Sequence, residues 1–207
     1  MSRLLLKRVL DIELALAGLL CLSPVLALIA VLVLRGMGRP VFFVQTRPGR
    51  HETPFRLVKF RTMTQATGPD GRLLPNSARL TRFGRFLRSS SLDELPELWN
   101  VLRGDMSLVG PRPLLNEYLV AYDQRERKRH DVRPGITGLA QVRGRNSVRW
   151  SDKMASDVEY VQRWSLTLDA AIMARTFLTV LSRRDVAVEG GTQRPPAKVP
   201  RNDEVEA

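Results

Sequence analysis

The stretch LALAGLLCLSPVLALIAVLVL, from Leu14 to Leu34, contains no charged residue. About 20 apolar residues suffice for a helix to cross a hydrocarbon layer about 30 Å thick. A secretory signal peptide is one alternative, because basic residues precede the stretch. However, no small-x-small cleavage site follows and the apolar run is too long. We therefore expect the stretch to remain in the protein and to hold it at a membrane.

The apolar stretch is interrupted at its midpoint by Ser23 and Pro24. Proline removes a backbone hydrogen bond, and the Ser23 hydroxyl is available to the carbonyl that is freed. Basic residues flank both ends of the stretch: Arg3, Lys7 and Arg8 before it, and Arg35 and Arg39 after it. Both ends are thus expected on the cytoplasmic side. Each half is about 15 Å long, about half the hydrocarbon depth. These features favour a re-entrant helix-break-helix over residues 1–36, with a kinked single crossing as the alternative.

The composition points to one domain with an anionic partner. The chain has 207 residues, a net charge of +12 and a pI near 11.0. Nucleic acid, an acidic membrane surface and phosphorylated small molecules all fit this charge, as does a solvated basic surface without function. Cys21 is the single cysteine, which excludes a disulfide framework and a thiolate zinc site. His51 and His130 are expected to be surface residues, and no Walker loop occurs.

The rest of the chain predicts a mainly α-helical fold with a small β-hairpin. The hairpin strands are expected at about 41–45 and 55–60, joined by a Pro-Gly turn. An irregular loop at 64–78 leads to a basic amphipathic helix around Leu80, Phe83 and Leu87, which suits either the core or, as we favour, the headgroup region. Further helices are expected at about 92–102, 114–130, 151–164 and 168–181. The segments GDMSLVGPRP and 132–147 are predicted as loops, the latter with strand as an alternative.

Two adjacent carboxylates, Asp93 and Glu94, lie at the start of the helix predicted at 92–102. Ser91-Leu92-Asp93-Glu94 matches a capping box, in which Ser91 and Glu94 satisfy each other's backbone donors. Pro96 argues against a cap at Ser91, because it would then break an interior helical bond. A helix start at Asp93 places Pro96 in the first turn, where proline is tolerated. Both carboxylates would then be free at the positive end of a helix.

Such a site can bring together a carboxylate, a phosphate and a divalent cation. An aspartate is ionised at neutral pH and can attack phosphorus without a base, provided that the phosphate charge is neutralised. Pro111 and Pro113 restrict the backbone around Arg112, as is useful for a guanidinium that reads phosphate. The alternative for Arg112 is a rigid turn with a solvent-facing side chain.

These residues resemble those of the bacterial sugar transferase family, the monotopic polyprenyl-phosphate phosphoglycosyl transferases. The resemblance covers about Lys7 to Thr179. The chain is similar to the small family members that consist of the catalytic domain alone. It is carried by SP at 23–24, KFRTM at 59–63, RFGRFLRSSSLDELPELWNVLRGDMSLVGPRP at 82–113 and RPGITGLAQVRGRN at 133–146. The protein is therefore expected to be monotopic, with a re-entrant membrane helix, amphipathic interfacial helices, a cytosolic catalytic domain at 37–182 and a disordered tail at 183–207.

The resemblance implies a reaction. A UDP-sugar and undecaprenyl phosphate give undecaprenyl-diphosphate-sugar and UMP, with Mg²⁺, as the first membrane step of a bacterial glycoconjugate pathway. Asp93 matches the nucleophile that forms a phosphosugar-enzyme intermediate, and Glu94 matches the residue that assists through magnesium or as a base; both are candidate Mg²⁺ ligands. The remaining site residues implied by the resemblance bind substrate phosphates: Lys59, Arg112, Gln141 and Arg145. Ser23 and Pro24 match the break of the re-entrant helix.

The implied location is the cytoplasmic face of a bacterial inner membrane, with its anionic lipids as partners and without nucleic acid. A homodimer and downstream glycosyltransferases are open as further partners. Glu52, residues 76–78 and Arg143 depart from the family pattern, which affects loop geometry and sugar choice. The alternatives are a membrane-tethered basic binding module and a scaffold, both without catalysis.

Overall fold

The computed structural model describes residues 3–144 and 149–182. The architecture is mainly α-helical with a small antiparallel hairpin, as predicted. The helices are α1 (Arg3–Cys21), α2 (Ser23–Met37), α3 (Asn76–Arg79), α4 (Arg82–Ser89), α5 (Glu97–Arg103), α6 (Leu139–Gly144), α7 (Trp150–Arg163) and α8 (Leu166–Ser182). The strands are β1 (Phe42–Pro48), β2 (Pro54–Phe60), β3 (Ser107–Val109) and β4 (Gly135–Thr137). The tail predicted at 183–207 lies outside the described residues.

Helices α1 and α2 meet at Leu22 with a bend of 62°. Pro24 lies in the first turn of α2 and has no N–H to donate to the carbonyl of Leu20. The Ser23 hydroxyl donates to that carbonyl at 2.8 Å, which confirms the expected compensation. In the part of the chain that the structure describes, no single helix is long and apolar enough to cross a membrane, and only the bent pair taken together meets that requirement.

Charged side chains tie α1 to the rest of the molecule. The Arg8 guanidinium donates to the carbonyls of Val101 at 2.7 Å and Leu102 at 3.0 Å, at the end of α5. Lys7 Nζ lies 2.6 Å from a carboxylate oxygen of Asp169 in α8. The acceptors at the C-terminus of α5 are carbonyls that a helix cannot satisfy internally. Helix α1 is therefore bonded to the domain that follows it, although its other faces expose leucines.

The hairpin confirms the two predicted strands, which extend further towards the turn than expected. Strands β1 and β2 pair from Phe42 opposite Phe60 to Pro48 opposite Pro54. In the turn, Glu52 adopts a φ of 60°, in the left-handed region that favours glycine. The hairpin places Leu57 in a buried cluster with Val101, Met106 and neighbouring residues of α5, and this packing sets the position of Lys59 two residues further along β2.

The prediction of one continuous helix at 92–102 is wrong. Ser91 adopts a left-handed φ of 57°, residues Leu92–Glu94 form a single 3₁₀ turn, and α5 begins only at Glu97 after Pro96. Proline cannot donate the interior hydrogen bond that a continuous helix would need there, so the α-helix starts one residue after it. The two carboxylates thus lie on a tight turn between α4 and α5 instead of in the first turn of an α-helix.

The segment 114–130 also differs from the predicted helix. It contains two 3₁₀ helices, Asn116–Ala121 and Glu126–His130. Asp123 separates them because its side chain accepts from the N–H of Glu126 at 2.7 Å, while the Glu126 carboxylate accepts from the N–H of Asp123 at 3.1 Å. This reciprocal cap restarts the helix and prevents one continuous element.

The segments predicted as loops, GDMSLVGPRP and 132–147, contain the short parallel pair β3 and β4, and 132–147 also contains α6. Ser107 pairs with Gly135 and Val109 with Thr137. A side chain on Gly135 would come within 2.1 Å of the backbone nitrogen of Gly110, so only glycine permits this approach. The loop prediction for Ser107–Val109 is wrong because three-residue strands carry too little alternation to be recognised. The strand alternative for 132–147 is confirmed at Gly135–Thr137, and α7 and α8 confirm the last two predicted helices.

His130 is buried, and the prediction of a surface residue is wrong for it but correct for His51. Its ring lies 3.3 Å from the carbonyl of Gly49 and 5.6 Å, centroid to centroid, from Tyr122. Burial, together with the charge of Arg129, lowers the pKa of His130 to about 4. The surface prediction followed from the absence of a metal-ligand spacing around the two histidines, which does not report on burial, whereas the short 3₁₀ helix turns the His130 side chain towards the hairpin.

Candidate active site

The turn that carries Asp93 and Glu94 lies between α4 and α5 and contacts β2. Asp93 is buried, with 8% of its surface exposed. The capping-box interpretation is wrong: the Ser91 side chain caps no backbone N–H, and the Glu94 carboxylate bonds to two cations instead. The left-handed Ser91 reverses the chain after α4 and so directs this turn towards the hairpin.

Glu94 lies at the centre of a compact charged group. Its Oε1 accepts from Lys59 Nζ at 2.8 Å and from Arg112 Nη2. Lys59 Nζ also lies 3.0 Å from Oε1 of Glu97, which is 2% exposed. Asp93 completes this group, which we call the Glu94 cluster: Asp93, Glu94, Glu97, Lys59 and Arg112. The structure therefore brings together four of the six residues predicted for catalysis and phosphate binding.

Burial and the charges of neighbouring groups give the three carboxylates of the Glu94 cluster different pKa values. Burial, followed by the charge of Glu94, raises the pKa of Asp93 to about 6. Burial likewise raises the pKa of Glu97 to about 7, against the opposing effect of Lys59. Burial also acts to raise the pKa of Glu94, but Arg112 and Lys59 outweigh it and hold that pKa well below its usual range. Glu94 is thus permanently ionised, and Asp93 is the most basic carboxylate of the adjacent pair.

Arg112 is held in place through its own backbone. Its carbonyl accepts from Arg129 Nη2 at 2.7 Å, and Arg129 pairs with Asp157 of α7 at 2.8 Å. Both partners of that ion pair are almost completely inaccessible to solvent. The Arg112 guanidinium points to Glu94, so the alternative of a solvent-facing arginine is not what the structure shows. The charge of Glu94 raises the pKa of Arg112 further.

A cavity of about 180 Å³ adjoins the cluster. Its charged lining consists of Arg47, Lys59, Glu97 and Arg112, and its remaining walls are Leu57, Pro113, Leu114, Leu115 and Tyr118. Sequence reasoning missed Arg47, Glu97 and Tyr118. Arg47 could have been found from strand alternation, because positions 43, 45 and 47 share one face and Phe43 pairs with Lys59. Nothing in the sequence pattern marked Tyr118.

The other two predicted residues are not placed in the cluster by any described contact. The Gln141 amide donates to the carbonyl of Ile136 at 2.9 Å, which ties it to β4. Arg145 lies outside the described residues. Across residues 3–144 and 149–182, no group of three or more histidine, cysteine, aspartate or glutamate side chains is arranged to hold a metal ion.

Comparison with known proteins assigns the chain to a family. The sequence model of the bacterial sugar transferases matches residues 2–183. An uncharacterized sugar transferase of Bacillus subtilis, EpsL, is 51% identical over 179 residues, covering 86% of this chain and 88% of the relative. The UDP-glucose:undecaprenyl-phosphate glucose-1-phosphate transferase of Caulobacter vibrioides is 43% identical, covering 85% and 70%. The undecaprenyl-phosphate galactose phosphotransferase of Salmonella typhimurium is 40% identical, covering 88% and 41%. The chain belongs to the bacterial sugar transferase family, as its motifs predicted.

Proposed function

We propose that this protein transfers a sugar 1-phosphate from a UDP-sugar to undecaprenyl phosphate, releases UMP and passes through a covalent intermediate on Asp93. The names of the Caulobacter and Salmonella relatives support sugar-phosphate transfer to that lipid carrier. The observation that carries the proposal is the position of Asp93, a buried carboxylate with a raised pKa beside the Lys59–Glu94–Arg112 ion pairs.

In the first step, an Asp93 carboxylate oxygen attacks the phosphorus that bears the sugar. An O–P bond forms to Asp93, the bond between that phosphorus and the bridging oxygen breaks, and the electron pair leaves with UMP. No proton has to move. With a pKa of about 6, the Asp93 carboxyl is largely ionised at neutral pH and needs no base, while being more basic than an ordinary aspartate.

The cations of the cluster neutralise the phosphate charges during this step. Arg112 presents a planar guanidinium that suits phosphate oxygens, and its backbone is pinned by Arg129. Lys59 is fixed between Glu94 and Glu97. Glu94 therefore acts mainly by holding both cations in place, which favours a positioning role over that of a base.

Magnesium fits this site as a cation shared with the substrate. Asp93 and Glu94 are the residues that would hold it, and two carboxylates completed by substrate phosphates are a usual magnesium environment. When bound, magnesium would supply further neutralisation of the diphosphate charge.

In the second step, the phosphate of undecaprenyl phosphate attacks the same phosphorus and regenerates the Asp93 carboxylate. Successive use of one site avoids holding two anionic phosphates side by side. The acceptor is a lipid, so the site has to lie at a membrane surface. We therefore propose the cytoplasmic face of a bacterial inner membrane, with residues 37–182 as the catalytic domain lying on its anionic lipids.

The re-entrant course of α1 and α2 is supported by the contacts at both ends of the pair. Lys7 and Arg8, near the start of α1, bond to α8 and α5. At the other end, the guanidinium of Arg61 donates to the carbonyls of Met37 and Arg39, among others. Both ends thus bind the same domain, which supports the proposal that they lie on the same side of the membrane. In this arrangement the exposed leucines and valines between them would face the hydrocarbon.

The test is a UMP-release assay with the full chain in lipid nanodiscs, magnesium, undecaprenyl phosphate and a panel of UDP-sugars. Wild type should release UMP with at least one sugar, and Asp93→Asn should lose at least about a thousandfold in rate. Without acceptor, protein incubated with a sugar-labelled substrate should retain the label in wild type only. Release that persists in Asp93→Asn would disprove the covalent route, and no release with any UDP-sugar would disprove the substrate class.

A further inference from the structure

The cavity beside the Glu94 cluster is lined by an arginine that has no role yet in the two transfer steps. Arg47 of β1 lines this cavity together with Arg112, Lys59 and Glu97. Its Nη2 donates to the Gln45 side chain at 2.6 Å. Its Nε is buried, and no group among residues 3–144 and 149–182 accepts a hydrogen bond from it. A buried guanidinium N–H without an acceptor is costly unless a ligand supplies one.

The charges around Arg47 indicate what kind of ligand this is. Lys59 and Arg112 are each paired with carboxylates of the cluster, whereas no described carboxylate lies within ion-pair distance of Arg47. Burial, followed by repulsion from Arg112, lowers the pKa of Arg47 to about 10, so it remains cationic at neutral pH. The guanidinium groups of Arg47 and Arg112 are neighbours, and only Arg112 has a described carboxylate partner, Glu94. Two such guanidinium groups suit an anion with several oxygens.

The position of Asp93 indicates which anion binds beside Arg47. Asp93 and Glu94 do not line the cavity, whereas Lys59 and Arg112, the two cations that pair with Glu94, do. In phosphoryl transfer, the attacking and leaving oxygens lie roughly in line on opposite sides of the phosphorus. If Asp93 attacks from one side of these cations, the leaving phosphate departs on the other, towards Arg47. That phosphate gains one negative charge as the bond breaks.

The size and walls of the cavity agree with a nucleotide. A volume of about 180 Å³ is below the roughly 300–1,000 Å³ typical of a site that encloses a whole ligand, so it takes only part of a UDP-sugar. Beyond Arg47 the walls are Tyr118 and the leucines 57, 114 and 115, which suit the apolar faces of a nucleoside. The sugar is attached to the phosphorus off the line of attack and is not required in this cavity.

We propose that the cavity is the leaving-group subsite of the transfer reaction, in which Arg47 binds the phosphate of the departing nucleoside monophosphate. This inference rests on the proposed function. Arg47 would stabilise the charge that develops on the leaving oxygen and would also hold UMP as a product. Because every UDP-sugar yields UMP, the assignment does not depend on which sugar the enzyme accepts.

The test uses UMP itself, titrated into the full chain in nanodiscs with magnesium, and compares three variants. Arg47→Gln should weaken UMP binding about tenfold to a hundredfold, as expected for the loss of a charge-assisted hydrogen bond. Arg47→Lys should recover part of this loss. Arg56→Gln is the matched control, because Arg56 is an exposed arginine on the partner strand of the same hairpin, and it should bind UMP as wild type does. Melting temperatures verify that each variant is folded.

A second measurement separates the two half-reactions. In Arg47→Gln, UMP release in the absence of acceptor should slow, while transfer of an already formed phosphosugar to undecaprenyl phosphate should keep its wild-type rate. The inference is overturned if Arg47→Gln binds UMP normally. It is also overturned if only the second half-reaction slows, which would assign the cavity to the acceptor phosphate, or if only the preference among sugars changes. A wild type that releases no UMP would instead overturn the proposed function.

Discussion

Two buried ion-pair groups lie next to each other and differ in how completely they are paired. In the first, Arg129 donates hydrogen bonds to Asp157, Tyr122 and the carbonyl of Arg112, and the Arg129–Asp157 pair is closed to solvent. In the second, the Glu94 cluster, Glu94 and Glu97 share Lys59, Glu94 also pairs with Arg112, Asp93 forms no ion pair with a described residue, and one face borders a cavity. The Arg129–Asp157 pair, whose hydrogen bonds are all made within the protein, stabilises the fold. The Glu94 cluster, whose charged groups are not all paired with one another, can still bind a ligand.

The two groups are joined by a single hydrogen bond, from Arg129 to the backbone of Arg112. Different groups therefore hold Arg112 in place and take part in the reaction. The rigid pair orients the arginine, while the arginine side chain remains available to the phosphate. Changes to the two groups should therefore affect different measurements.

Asp157→Ala should have the largest effect on stability. It leaves the Arg129 charge buried without a partner, and breaking a pair in this way costs about 3–5 kcal/mol. The free energy of unfolding, or the melting temperature in detergent, measures the loss. Glu159→Ala on the same helix is the control, because Glu159 forms exposed pairs with Arg143 and Arg163 that contribute under about 1 kcal/mol. Equal losses for both variants would contradict the distinction between the two groups.

Arg112→Gln should mainly affect the reaction. We expect the rate of UMP release to fall by about 10²–10³-fold, the usual effect of removing a group that stabilises developing charge. The melting temperature should change little, because Glu94 keeps its bond to Lys59. Arg103→Gln, which alters an exposed arginine of α5, should preserve activity. If Arg112→Gln unfolded the protein as Asp157→Ala is expected to do, the Glu94 cluster would be a structural group too.

The pH dependence of stability should show a smaller effect that depends on His130. This residue packs near Tyr122, whose ring lies 5.5 Å from the Arg129 guanidinium. Its pKa is about 4 in the folded protein against a usual value of 6.5, so the unfolded chain binds the proton more strongly. The stability that His130 contributes is complete above pH 6.5 and is lost as the pH falls towards 4.

Between pH 7 and pH 5, wild type should lose on the order of 1 kcal/mol more stability than His130→Gln. Carboxylates with raised pKa values, such as Glu97, act in the opposite direction, so only the difference between the two proteins isolates His130. Chemical denaturation at both pH values measures this difference. Parallel pH profiles for the two proteins would show that the His130 ring is not shielded from water.

Much of the fold could be predicted because its signals are local. The uncharged stretch, its break at Ser23 and Pro24, the hairpin strands and the last two helices each follow from a run of neighbouring residues. Asp93 and Glu94 were recognised because two carboxylates, a proline and a helix start occur together in the sequence. The bond from Ser23 to the carbonyl freed by Pro24 was expected for the same reason: donor and acceptor lie within one helical turn.

Tertiary packing decided the features that local patterns could not indicate. A close approach of two glycines, Gly110 and Gly135, created the β3–β4 pair. The cap between Asp123 and Glu126 that split a predicted helix is, by contrast, a local signal that the helix prediction overlooked. His130 was turned inward by a short 3₁₀ helix.

The sequence alone predicted a location at a membrane, a carboxylate pair suited to phosphate chemistry and a resemblance to a family of transferases, because apolar runs and motifs are contiguous. Only the tertiary structure decided that Glu94 binds Lys59 and Arg112, that Arg129 pins the latter, and that Arg47 enters the same cavity. These residues are far apart in the chain. Their interaction depends on how the hairpin and helices pack, and charges a few ångströms apart in a buried site set one another's chemistry.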